Sequence, residues 1–124
     1  MRNNAPKTIF CDLDGTLVKH PGSGYIRAIQ DPNYELKVLP GVNEFLYHID
    51  VNSYHLVITT GRKESAREAT VKQLQRVGIL YDQLIMGFGG GDRILINDRK
   101  NDRAEDTAFA INLARNEGVE NVKI

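Results

Sequence analysis

Asp12 and Asp14 stand two positions apart directly after the apolar run Thr8-Ile9-Phe10-Cys11, and Gly15-Thr16 follow them. At the end of a strand this spacing can aim both carboxylates to one side, with the carbonyl of Leu13 turned toward the space between them. A third acid, Asp98, comes directly after Ile94-Leu95-Ile96-Asn97. Magnesium prefers carboxylate, carbonyl and water oxygens and keeps several waters, so Asp12, Leu13, Asp14 and Asp98 hold enough donors for one Mg²⁺ and leave room for a phosphate. Carboxylates gathered around one cavity repel one another unless a cation holds them, so the set implies a metal. Thr60, after Val57-Ile58-Thr59, adds a hydroxyl donor, with Thr59 as the alternative, and the N–H groups of Asp14, Gly15 and Thr16 form an anion nest. Positive charge is needed before an anionic phosphate can approach an anionic nucleophile, and the metal with Lys or Arg supplies it. Taken alone, Asp-x-Asp equally suits a turn or a helix cap.

These residues need a scaffold that brings strand ends together. Pro40-Gly41 precedes Val42, Phe45, Leu46 and Ile49, a helical i, i+3, i+4, i+7 set, and His55 to Thr59 is a second strand. Glu64 to Val77 places Ala66, Thr70, Leu74 and Val77 on one face and ends at Gly78. Leu84-Ile85-Met86 and Arg93-Ile94-Leu95-Ile96 read as two more strands. The second leads to a helix with Ala104, Ala108, Ile111 and Ala114 or Arg115 on one face, closed by Gly118, and a final strand is expected in Asn121 to Ile124. Apolar strands alternating with helices predict a doubly wound parallel sheet, an α/β domain of three layers, α/β/α. Ligands in such sheets sit beyond the carboxyl ends of the strands, where Asp12-Leu13-Asp14-Gly15-Thr16, Thr60-Gly61-Arg62-Lys63 and Asn97-Asp98-Arg99-Lys100 converge.

At 124 residues, with 41% hydrophobic and 26% charged residues, the chain has the composition of one globular domain, 1–124, rather than a disordered or coiled-coil chain. Sixteen basic residues balance sixteen acidic ones, so no overall electrostatic footprint for nucleic acid or an anionic membrane is present. No apolar run approaches the roughly 20 residues of a membrane span, and the polar opening Met1-Arg2-Asn3-Asn4 and single Cys11 make the cytoplasm the expected location. His20, His48 and His55 lack metal spacing, and Cys11, inside the first strand, is expected to be a buried inert thiol.

Asp12-Leu13-Asp14-Gly15-Thr16-Leu17-Val18 resembles the first signature of the haloacid dehalogenase (HAD) superfamily, DxDGT[LV]. Val57-Ile58-Thr59-Thr60-Gly61-Arg62 is similar to the second signature and Ile94-Leu95-Ile96-Asn97-Asp98 to the fourth, in the family's order, across nearly the whole chain. The resemblance implies a HAD-like Rossmannoid fold and a phosphohydrolase or phosphotransferase that works through an aspartyl-phosphate. In that scheme Asp12 is the nucleophile, and Asp14 is first the acid for the leaving alcohol and then the base for water. Asp98 and the Leu13 carbonyl join Asp12 on Mg²⁺, and Thr60 holds a phosphoryl oxygen. Gly15, Thr16, Gly61, Arg62 and Lys63 border the substrate.

Two positions depart from the pattern. The third signature is a lysine before the fourth strand, but Met86 to Asp92 contains none; Lys100, Lys63 and Arg62 are the candidate replacements, with Lys100 preferred and Arg93 disfavoured as the start of a strand. Asn97 stands where a second acid is common, leaving Asp102 as an outer ligand or a helix cap. The segment of about twenty residues from Lys19 to Leu39 is too short for a cap domain, which predicts a hairpin flap over an open, capless site. Capless relatives favour large phosphates or borrow a neighbouring subunit as lid, so a homo-oligomer is one expectation. Thr60-Gly61-Arg62-Lys63-Glu64-Ser65 has some likeness to the phosphatase domain of polynucleotide kinases, while the small capless build resembles phosphatases of surface-sugar synthesis. These resemblances imply a sugar phosphate or a nucleic-acid 3′-phosphate as candidate substrates without deciding between them, and the neutral charge argues mildly against a nucleic-acid end. Two other classes compete: a HAD-like domain that binds phosphate or a partner without turnover, and a phosphorelay receiver, disfavoured because the middle strand ends without an Asp.

Overall fold

The computed structural model describes residues 5–124; the opening Met1 to Asn4, used above for location, lies outside the described residues. The chain runs β1 (Thr8–Asp12), α1 (Tyr25–Gln30), α2 (Val42–Val51), β2 (His55–Thr59), α3 (Arg67–Val77) and β3 (Gln83–Ile85), with short 3₁₀ turns at Gly22–Gly24 and Glu64–Ala66. The strands form one parallel sheet in the order β1-β2-β3. The register sets Asp12 beside Thr59, so the two expected motifs leave the sheet at the same level.

Each helix forms where its periodicity places apolar residues inward. α2 buries Val42, Phe45 and Ile49, and α3 buries Ala69, Thr70, Gln73 and Leu74 before Gly78 ends it in the left-handed conformation at φ 76°. Val42, Phe45, Ile49 and Leu74 make one core with Leu13, Leu17, Val18, Leu56 and Ile58, each fully buried Leu or Ile contributing about 1.5–3 kcal/mol. Among the described residues no helix is long and apolar enough to cross a membrane.

The stretch between β1 and α2 is not a plain hairpin flap. Its ends do pair, through the antiparallel Val18–Val38 bridge and the Lys19 N–H donating to the Lys37 carbonyl at 2.8 Å. Its tip is α1, which packs Ala28 and Ile29 into the protein.

Beyond Met86 the expected pattern stops. The strand at Arg93-Ile94-Leu95-Ile96, the helix from Ala104 and the strand at Asn121 to Ile124 are all irregular chain. Ile94 and Ile96 are 85% and 91% exposed. A strand exists only through its partner, and here local polar bonds hold this segment in a loop instead. The Thr107 hydroxyl donates to the Asp98 carbonyl at 2.7 Å and accepts from Asn97 Nδ2 at 2.8 Å, while Arg99 pairs with Asp106. The last residues return to the body, where the Asn116 N–H donates to the Gly15 carbonyl at 2.8 Å and the Val119 N–H to that of Pro40 at 2.9 Å. Among the described residues β1 consequently has a strand partner on one side only, with Phe10 60% exposed.

Candidate active site

Leu13 is fully buried, which draws the chain after β1 into a tight turn. Its carbonyl accepts the N–H groups of Thr16, Leu17 and Val18 at 3.2, 3.0 and 3.2 Å. The oxygen expected to reach a metal is therefore also the one that closes this turn. The expected nest changes for the same reason: the Gly15 N–H donates to the Val18 carbonyl at 2.7 Å and the Thr16 N–H is one of the three on Leu13. Gly15 has φ +90°, open to glycine, and a Cβ there would lie 3.2 Å from Arg115 Cγ. Arg115 thus covers this turn, a placement the helix expected at Ala104 to Arg115 concealed.

The turn leaves Asp12 open and Asp14 closed in. Asp12 sits exposed at the end of β1, where the Thr16 hydroxyl donates to its Oδ2 at 3.2 Å. Its carboxyl is held above the usual carboxylate range, first by desolvation and then by the charge of Asp14, against the Thr16 and Leu13 hydrogen bonds and the positive charge of Arg93. Asp14 has a side chain only 8% exposed, and both its oxygens accept from one guanidinium, Nε of Arg62 to Oδ2 and Nη2 to Oδ1, each at 2.9 Å.

Arg62 was expected at the substrate and is instead entirely buried. Its Nη1 donates to Thr70 Oγ1 at 3.0 Å and to Gln73 Oε1 at 2.8 Å, both on the inner face of α3. A buried guanidinium with a paired carboxylate and two further acceptors is satisfied rather than free to bind substrate. Thr60 is also buried, and its hydroxyl oxygen accepts the Arg62 N–H at 3.1 Å, which leaves its own proton to donate. Gly61 admits the chain that follows β3: the Gly89 carbonyl would lie 2.6 Å from a Cβ at this position. Gly61→Ala is therefore expected to destabilise by about 1–3 kcal/mol, read as a lower midpoint in denaturant, because backbone rather than a flexible side chain must move. Lys63 is exposed and lines a cleft of about 150 Å³ with Tyr25, Ile29, Gln30, Gly61 and Ser65, between α1 and the start of α3. A larger hollow of about 550 Å³, between α2 and the C-terminal residues, is lined by Glu44, Phe45, His48 and Val119 and contains none of the expected site residues.

Asp98 and Lys100 remain outside this arrangement. Both are exposed on the irregular segment, and Lys100 Nζ lies 3.4 Å from Asp98 Oδ1. Asp102 is likewise exposed there, in place of the helix it was expected to cap. Among the described residues no three His, Cys, Asp or Glu side chains gather as a metal-binding group. Arg93, disfavoured above only because a strand was expected to begin with it, is the positive charge that lowers the Asp12 carboxyl, the weakest of the influences on it. Its guanidinium folds back to donate to the Gly91 carbonyl and, at 3.0 Å, to the Gly89 carbonyl, with its carbon 5.2 Å from the centre of the Phe88 ring. Gly89 is the residue that stands against Gly61, so the loop carries Arg93 back to the strand ends.

The remaining expectations resolve simply. Cys11 is buried and its thiol pushed up to about 12, by burial and then by the charge of Asp12, an inert group. His20 stacks on Tyr25 with ring centres 5.2 Å apart, and His55 lies 3.8 Å from Asp82. The middle strand β2 ends at Thr59 with no Asp, unlike the acceptor strand of a receiver.

No protein-family model and no curated protein matches the chain. Among solved structures it is similar to a chain of the Pnkp1/Rnl/Hen1 complex, with 29% identity and a TM-score of 0.57 over 72% of this chain and 30% of that one. A second structure, of the Pnkp1/Rnl/Hen1 RNA repair complex, gives 29% identity and a TM-score of 0.56 over 68% and 27%. This chain thus spans less than a third of the length of those two. A Vibrio cholerae protein is 25% identical with a TM-score of 0.51, over 76% of this chain and 81% of its own.

Proposed function

The chain has a haloacid dehalogenase (HAD)-like fold, and on that premise we propose that it is a phosphohydrolase that cleaves a phosphomonoester through a phosphorylated Asp12. The observation that carries this reading is the open Asp12 beside an Asp14 clamped by a fully buried arginine. A buried ion pair adds little net stability over apolar packing, so its presence beside a strand-end carboxylate points to a positioning task.

An Asp12 oxygen attacks phosphorus as the ester P–O bond breaks, and the departing oxygen takes the proton of Asp14. To act as the acid Asp14 must first carry a proton, which turns its two-oxygen ion pair with Arg62 into one in which one oxygen still accepts from Arg62 and the other has an O–H to give. Water then attacks phosphorus, its proton passes to the Asp14 carboxylate, and inorganic phosphate leaves with Asp12 restored. Thr60 donates its hydroxyl proton to a phosphoryl oxygen.

The donor set suits magnesium in a reduced form. Asp12 would hold the ion, since Mg²⁺ is commonly bound by one or two carboxylates together with substrate phosphate and water, whereas the Leu13 carbonyl and the Asp14 carboxylate are already engaged. When bound, the ion supplies charge that screens the phosphate from the carboxylate. Arg93 supplies the protein's share of that charge. Arg93→Met is expected to lower kcat/KM by about 10- to 1000-fold and Lys100→Ala by less than about twofold. Steady-state kinetics of the two variants side by side decides which cation serves.

The likeness to a chain of an RNA repair complex favours a phosphate at a nucleic-acid end as substrate, with sugar phosphates as the competing class. The test is phosphate release from p-nitrophenyl phosphate, sugar phosphates, nucleotides and a 3′-phosphorylated oligonucleotide, with Mg²⁺ and with EDTA. Turnover that requires Mg²⁺ and is lost in Asp12→Asn supports the enzyme. The engaged Gly15 and Thr16 N–H groups, and an Asp98 that gathers with no other two His, Cys, Asp or Glu side chains among the described residues, favour a second reading, a domain that binds phosphate or a partner without turnover; silence across the panel, with magnesium still binding, would move weight to it or to a specialised substrate.

A further inference from the structure

Gln73 is completely buried on α3, yet three side-chain hydrogen bonds lead away from its own helix. Its Oε1 accepts from Arg62 Nη1 at 2.8 Å. Its Nε2 donates to the carbonyl of Ala28 at 2.8 Å and to that of Asp31 at 2.7 Å, the two carbonyls at the C-terminal end of α1. Arg62 in turn holds both oxygens of Asp14. One continuous set of hydrogen bonds therefore runs from α1 through Gln73 and Arg62 to Asp14, and Thr70 braces it from the side.

We propose that Gln73 is a positioning residue for the reaction: it fastens α1, one wall of the Lys63 cleft, to the guanidinium that aims Asp14, so that α1 and the acid that protonates the leaving group move as one unit. This rests on the phosphatase reading above. A core need alone does not account for Gln73, because a buried amide gains little over an apolar side chain of the same volume unless its partners require it. Here the partners are a buried cation on one side and two helix-end carbonyls on the other, groups that belong to different segments and share no other bond through α3.

A residue that only supports the fold lowers the turnover of all substrates alike, whereas one that aims the acid matters in proportion to how much the leaving group needs a proton. p-Nitrophenolate leaves without protonation; a primary alkoxide does not. We therefore compare kcat/KM for p-nitrophenyl phosphate and for glycerol 3-phosphate in the unsubstituted protein, in Gln73→Met and in Gln73→Glu. Any inactive fraction cancels in the ratio of the two substrates, so partial misfolding does not confuse the result. Gln73→Glu keeps an acceptor for Arg62 but loses the donors to α1; Gln73→Met loses both. The expected result is that Gln73→Met depresses the alkyl ester at least tenfold more than the aryl ester, with a smaller selective loss in Gln73→Glu. Equal loss on both substrates, or none on either, overturns the positioning role while the phosphatase reading stands. Absence of turnover in the unsubstituted protein overturns both.

Discussion

Asp12→Asn is expected to lose more than about 10⁴-fold in turnover and, at neutral pH, to melt at a higher temperature than the unsubstituted protein. Both effects have the same origin. Desolvation, and then the charge of Asp14, raise the Asp12 carboxyl above its ordinary 3.8, so the folded protein disfavours the ionised form that the chemistry requires. Below pH 3.8 the folded and unfolded chains both carry the proton and nothing is lost. As pH rises through the folded value the folded state must give up a proton it holds more tightly than the unfolded chain does, and stability falls. The amide is neutral at every pH and escapes this penalty. The gain in melting temperature should therefore be present at pH 7 and vanish near pH 3. An unchanged melting temperature at pH 7 would refute the electrostatic account, and retained turnover would refute Asp12 as nucleophile.

Arg62→Met carries the largest expected cost in stability, about 3–5 kcal/mol, because it leaves the Asp14 carboxylate and the oxygens of Gln73 and Thr70 without their donors inside the protein. At about 4 °C per kcal/mol for a domain of this size, thermal unfolding should move down by about 10–20 °C. Arg62→Lys should recover little, since one ammonium cannot bridge both Asp14 oxygens and the two acceptors on α3. The double variant Arg62→Met with Asp14→Leu should regain a large part of the loss, because an apolar pair tolerates burial that a single carboxylate does not. If the double variant were as unstable as Arg62→Met alone, the ion pair would not be the cause.

The parts of this molecule that were legible in the sequence are those whose signal is local. The run Thr8 to Cys11, the spacing of Val42, Phe45 and Ile49, and Gly78 at a helix end each announce their element without reference to a distant partner. Arg62 was misplaced because an arginine after a strand is ordinarily solvated. The signal that could have found it lies on α3, where Thr70 and Gln73, three positions apart, put polar groups on the apolar face and so called for a buried partner. Beyond Met86 the difficulty is of another kind. Ile94-Leu95-Ile96 has every local mark of a strand, but pairing depends on where Gly89 and Arg93 anchor the chain, and those contacts are tertiary. The same contacts bring Arg93, disfavoured from the sequence, to where its charge lowers the Asp12 carboxyl.

The unpaired side of β1 also has a meaning for the protein at high concentration. Among the described residues each copy leaves one side of β1, along Thr8-Ile9-Phe10, without a strand partner and free of charged side chains, and carries a ribbon of strand-forming residues, Ile94 to Ile96, that its own sheet has not claimed. A template and a matching ribbon on different surfaces of one molecule make a joint that does not close on itself, so each addition exposes the next. Growth from such a joint would be linear, and the charges that restrain it are those flanking the two segments, Lys7 and Asp12 around the template and Asp92, Arg93 and Asp98 around the ribbon.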